Sequence, residues 1–273
     1  MGDDSATSTT LDAGTSTSSM PPLTTTTVSP PSILAPDGQE IDAEVVVPEG
    51  PGPFPAVVLV HGGGWVTGAP SIMRPLADHL NANGFLTVNT RYSLATLDRP
   101  GFPDAIEDVA CAVRFAANHP DSDGTVAVIG HSAGAHIGGL VALTGDEYGA
   151  ACPFPGSGLP DRFVGLAGPY DVSRLGPAVG AFFGGGPDRL PEVWRAGNPQ
   201  LHTDANTELV SLIMHGEKDG LVADSFAVAF HKALKDSGSD ALIELVEEAR
   251  HNDMDDPDLV GDLIVTWLSR ARG

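Results

Sequence analysis

Ser132 stands in the pentapeptide Gly130-His131-Ser132-Ala133-Gly134, between the apolar run 125–129 and the small-residue segment 135–143. The run reads as a buried strand and the segment as a helix, so the serine falls where one turns sharply into the other. Such a turn presents the hydroxyl as a nucleophile, and the two glycines spare it side chains that would collide across it. With 33 glycines among 273 residues the pentapeptide carries little weight alone, and its place between strand and helix is what gives it meaning. A helix that starts there aims its first N–H groups at the reacting center.

A second constellation is His61-Gly62-Gly63-Gly64-Trp65, directly after the apolar run 56–60. A strand that ends in consecutive glycines lets backbone N–H groups approach a substrate oxygen without obstruction. Gly63 and Gly64, with the N–H of Ala133, are the candidate oxyanion hole.

With these two motifs the chain resembles the α/β-hydrolase superfamily, specifically carboxylesterases of the hormone-sensitive-lipase and feruloyl-esterase-like (BD-FAE) type that carry an H-G-G-G-W loop. The resemblance implies a chain order of oxyanion loop, nucleophile, acid and histidine. Asp219 falls on the acid position, in the turn after the strand-like run 209–216, and Glu217 is its local rival. His251 falls on the base position, between the last strand-like run, 241–246, and the final helix. Ala249 and Arg250 occupy places where the family usually shows a glycine. His215, at a strand end, and His231, in a helix-like stretch, read as structural.

These residues need a sheet whose strand ends converge on one edge. Strand-like runs at 39–48 and 85–92 alternate with helix-like stretches at 73–83 and 102–118, and another strand-like run, 163–168, follows the nucleophile helix. Alternation of this kind predicts an α/β fold with a mostly parallel central sheet covered by helices on both faces. The resemblance makes it an α/β-hydrolase domain over 32–273. Residues 175–201 read as a small lid insertion, and Phe182, Phe183 and Trp194 there, with Trp65 and His131, are candidate substrate-pocket residues. For the three lid aromatics, packing of the segment onto the core is the competing reading.

The Ser/Thr/Pro-rich residues 1–31 read as a disordered leader. The net charge of −22, from 36 acidic and 14 basic residues, argues against nucleic acid, anionic membrane surfaces and polyanionic substrates as partners. Neither cysteine has a Cys-x-x-Cys partner, so no zinc pattern is present, and the expected chemistry needs no metal or organic cofactor. The resemblance implies a disulfide between Cys111 and Cys152, with two buried thiols as the alternative. The Ser/Thr/Pro-rich leader resembles the tether found after an export signal and favors a secreted or cell-envelope protein, although residues 1–20 show no charged-then-apolar signal sequence and a cytoplasmic setting is the alternative. The expected function is serine carboxylesterase action on short-chain acyl esters or an acylated saccharide. An arylformamidase, with a similar H-G-G-x-W loop, and a non-catalytic binding module on the same scaffold are the alternatives.

Overall fold

The computed structural model describes residues 33–34, 40–41 and 43–270. The leader reading at 1–31 lies outside the described residues.

Nine strands and seven α-helices follow one another among these residues. Strands β1 (Ile33–Leu34) and β2 (Glu40–Ile41) pair antiparallel on their own. Then come β3 (Ala43–Val46), β4 (Phe54–Val60), α1 (Arg74–Ala82), β5 (Leu86–Thr90) and α2 (Asp104–Asn118). Strand β6 (Ser122–His131) leads into α3 (Ala133–Thr144), and β7 (Arg162–Leu166) follows. Two short helices, α4 (Gly180–Phe183) and α5 (Pro191–Ala196), precede β8 (Val210–Gly216), α6 (Ser225–Ser237), β9 (Asp240–Val246) and α7 (Pro257–Arg270).

The main sheet has the order β3-β5-β4-β6-β7-β8-β9, with β3 antiparallel to β5 and the other neighbors parallel. Side chains alternate across it, which is why the central strands are apolar on both faces. In β4, Val58 and Val60 meet Ile106 and Val109 of α2 and Ile137 of α3 in one core, while Val57 and Leu59 join Leu76 and Leu80 of α1 and Ile264 of α7 in the other. A mostly parallel sheet with helices on both faces is the α/β-hydrolase arrangement that the motifs imply.

Helix α2 starts at Asp104 rather than at Phe102, with Pro103 at its N-cap. Asp104 and Glu107 in the first turn suit the positive end of the helix dipole. Cys111 of α2 is disulfide-bonded to Cys152, and the two-thiol alternative is thereby set aside.

Residues 175–201, where the sequence suggests a lid, form short helices and turns closed on aromatic packing. Phe182, Phe183 and Trp194 are each at most 4% exposed, and their rings pack in series, Phe182 to Phe183 at 5.0 Å and Phe183 to Trp194 at 4.7 Å between centroids. Trp194 Nε1 donates to the Gly185 carbonyl at 2.9 Å. Of the two roles weighed for these aromatics, packing the segment onto the core is the one the structure displays. A cavity of about 280 Å³, lined in part by Pro55, Phe85, Asp123, Asp161 and Leu268, opens at the opposite end of the strands and is remote from the residues described next.

Candidate active site

The β6–α3 turn forces Ser132 to φ 55° and ψ −118°, a conformation costly for a residue with a Cβ. Ser132 N–H donates to the Leu166 carbonyl at 2.8 Å, which ties the strained turn to β7. A Cβ on Gly130 would stand 2.2 Å from the Gly134 carbonyl oxygen, and one on Gly134 would stand 2.1 Å from that of Val60. Glycine is therefore obligatory on both sides of the serine, and α3 can start directly against the end of β4.

His251 and Asp219 come to this serine from the ends of β9 and β8. Asp219 side-chain atoms are fully buried, and Oδ1 accepts the N–H groups of Leu221 and Val222, both at 2.8 Å. Oδ2 accepts from His251 Nδ1 at 2.7 Å. A carboxylate only accepts, so the proton of His251 sits on Nδ1 and Nε2 is left to accept from the Ser132 hydroxyl, 2.8 Å away. Burial pushes the Asp219 carboxyl up, but the Val222 N–H, His251 and the Leu221 N–H outweigh it and hold the group below the ordinary carboxylate value. The rivals stand elsewhere. Glu217 is exposed, and the His231 ring donates to the Ala241 carbonyl at 3.2 Å.

The glycine loop lies against the nucleophile, since a Cβ on Gly62 would stand 3.2 Å from Ser132 Cβ. Gly63, Gly64 and Trp65 all take positive φ, 127°, 60° and 66°, and the Gly63 carbonyl closes the turn by accepting from Val66 and Thr67 N–H at 3.3 and 3.1 Å. Among the described residues, the N–H groups of Gly63, Gly64 and Ala133 donate to no protein acceptor, so they remain available to a substrate oxygen.

Two assigned pocket residues have other partners. Trp65, 7% exposed, donates from Nε1 to His136 Nδ1 at 3.1 Å and packs against Phe182. His131, 4% exposed, donates from Nε2 to the His251 carbonyl at 3.0 Å, so its ring is turned inward rather than outward. The motifs alone did not disclose the partners of two further histidines. His136 is fully buried and hands its Nε2–H to the Gly197 carbonyl at 2.8 Å, which joins the oxyanion loop, α3 and the lid segment through one ring. Burial pushes its pKa down to about 4. His215, also fully buried, donates from Nε2 to the Val222 carbonyl at 2.9 Å and lies 3.2 Å from Asp219 Oδ2, closing the turn that holds the acid. A histidine this deep needs a partner to offset its desolvation, and that cost is the signal by which such residues could be found.

Among the described residues no group of three or more His, Cys, Asp or Glu side chains is set to hold a metal ion, and no helix is long and apolar enough to cross a membrane.

The BD-FAE family model matches residues 44–234. Esterase LipC of Mycobacterium tuberculosis is 30% identical over 199 residues, covering 67% of this chain and 49% of LipC. The chain spans about half the length of the curated relatives it matches. Solved structures with the same fold include two esterases. The acetyl ester-xyloside bifunctional hydrolase of Caldicellulosiruptor lactoaceticus has a TM-score of 0.74 at 19% identity, covering 85% of this chain and 89% of that one. The propionate-bound esterase Est2 of Thermogutta terrifontis has a TM-score of 0.69 at 20% identity, covering 87% and 90%. With its glycine loop, its strained serine turn and a matching family model over most of its length, this chain belongs to the BD-FAE family.

Proposed function

We propose that the protein is a serine carboxylesterase that hydrolyzes short-chain acyl esters through an acyl-enzyme. The observation that carries this reading is the unbroken relay from Asp219 Oδ2 through the His251 ring to Ser132 Oγ, at 2.7 and 2.8 Å. His251 Nε2 takes the Ser132 proton as Oγ attacks the ester carbonyl, and Asp219 stabilizes the imidazolium that forms. The carbonyl oxygen becomes an oxyanion held by the free N–H groups of Gly63, Gly64 and Ala133. Collapse releases the alcohol, which takes its proton from His251, and water activated by the same ring then frees the acid and Ser132.

The tightly packed lid segment offers little apolar wall for a long acyl chain, which supports short acyl groups. The propionate and butyrate complexes of the structurally similar Est2 point the same way. The disulfide supports an exported setting, where such bonds persist. The test is hydrolysis of p-nitrophenyl esters from acetate to dodecanoate by the wild type and Ser132→Ala, with N-formylkynurenine as the competing substrate. Activity that falls with acyl length and vanishes in the variant is expected. Equal rates for the two proteins, or a preference for the formamide, would refute the reading.

A further inference from the structure

The residue before the nucleophile takes no part in the scheme above, yet it is built into the base. His131 ends β6, a central strand, and its ring centroid lies 5.1 Å from that of His251. Its Nε2–H donates to the His251 carbonyl at 3.0 Å. Its Nδ1 faces Asp255 Oδ2 at 3.6 Å, beyond hydrogen-bond reach, and finds no hydrogen-bond partner among the described residues. His251 and Asp255 are the first and last residues of one 3₁₀ turn. A single imidazole therefore meets both ends of the turn that carries the base.

The approach to that turn needs such an anchor. It follows β9 at the sheet edge through residues 247–250, where Glu248 takes φ 59° without being glycine. The oxyanion loop also lies against the His131 ring, since a Cβ on Gly62 would stand 3.0 Å from Nδ1. The ring is buried, 4% exposed, between this loop and the turn.

We propose that His131 is a positioning residue for His251, holding the 251–255 turn so that Nε2 of the base stays within hydrogen-bond reach of Ser132 Oγ. The inference rests on the acyl-transfer reading, in which those two atoms exchange the proton. Burial pushes His131 below the ordinary imidazole value and Asp255 above the ordinary carboxylate value. Of the two contacts, only the one to the His251 carbonyl, at 3.0 Å, is within hydrogen-bond reach, while Asp255 Oδ2 stands at 3.6 Å, so the hold on the turn is assigned to the Nε2–H bond. A shift of the base by about 1 Å costs on the order of 10² in rate, so loss of this anchor should appear in turnover.

The test compares three variants of the full chain. His131→Phe fills the space without a donor, His131→Gln places an amide N–H near the Nε2 position, and His131→Asn places one near Nδ1. With p-nitrophenyl acetate, His131→Phe is expected to lower kcat at least tenfold with KM within threefold, and His131→Gln to recover most of the loss. The downfield proton resonance of the His251 Nδ1–H bonded to Asp219 should broaden or vanish in His131→Phe and return in His131→Gln. Should the phenylalanine variant fail to fold, a Gln variant at least tenfold more active than the Asn variant supports the proposal, and equal activities overturn it. A phenylalanine variant within twofold of wild type, or with an unchanged downfield resonance, also overturns it. Failure of the esterase reading would appear separately, as a wild type no faster than Ser132→Ala, and the resonance would still decide the role of His131.

Discussion

Gly63→Ala should damage the site far more than Gly64→Ala, one residue along the same loop. A Cβ at Gly63 would stand 2.0 Å from the Thr67 carbonyl oxygen and 2.6 Å from its carbon, whereas one at Gly64 meets nothing within 4 Å. Real Cβ contacts begin near 3.0 Å, so the Gly63 turn must open by at least about 1 Å. It cannot do so locally, because Thr67 N–H is itself bonded to the Gly63 carbonyl at 3.1 Å. The alanine is also held at φ 127°, outside the region open to a residue with a Cβ. Displacing a donor of the oxyanion hole costs on the order of 10² to 10³ in kcat, about 2.7–4 kcal/mol. Gly64, at φ 60°, imposes only the left-handed penalty of about 1–2 kcal/mol on an alanine, paid in stability with its N–H still in place. Steady-state hydrolysis of p-nitrophenyl acetate, with thermal unfolding followed by circular dichroism, separates the two effects. Gly63→Ala is expected to lose at least 10² in kcat with a smaller change in KM, and Gly64→Ala to lose less than tenfold. The assignment of the loop is refuted if Gly63→Ala stays within tenfold of wild type, or if the two variants are equally damaged.

Asp219→Asn preserves the acceptor for Leu221 and Val222 N–H but turns an amide toward His251, forcing the wrong tautomer, so kcat should fall on the order of 10⁴ with the fold intact; a loss below tenfold would remove Asp219 from its role. The Cys111–Cys152 bond closes a separation of 41 residues, for which chain entropy gives about 4 kcal/mol. Replacing both cysteines by alanine should lower the thermal midpoint by about 10 °C, and a drop under 3 °C would contradict that account. His136 is held neutral with its pKa near 4, against an ordinary value of 6.5. The unfolded chain binds its proton first as pH falls, so stability present above pH 6.5 is lost between there and pH 4, about 3 kcal/mol from this residue. Urea unfolding at pH 7, 5.5 and 4 should show a shallower pH slope in His136→Asn, and an equal slope would refute the assignment.

The nucleophile and oxyanion loop were legible in the sequence because glycine is forced there by backbone contacts, Gly130 against Gly134 and Gly134 against Val60, and such contacts leave a residue-type signature. Asp219 and His251 were legible through the chain order that the family resemblance implies, and parallel strands then deliver their C-terminal loops to one edge. His215 was legible only as a structural residue, and the partners of His131, His136 and His215 were not legible because of what those partners are. Each hands a ring N–H to a backbone carbonyl, of His251, Gly197 and Val222, and a carbonyl belongs to every residue type alike. Two of the bonds also span 120 and 61 residues of chain, so no local spacing records them. Each carbonyl lies on a segment that must be held in place: the base turn, the lid segment braced against Trp65, and the acid turn. An imidazole suits this work better than an amide or hydroxyl, because it places a rigid donor at the far end of a flat ring that also fills the core. At His136 the same choice couples packing to proton activity, since a buried ring that takes up a second proton acquires a charge that the core does not solvate. The bracing that these rings give and the acid sensitivity of His136 are therefore two consequences of one choice of residue type.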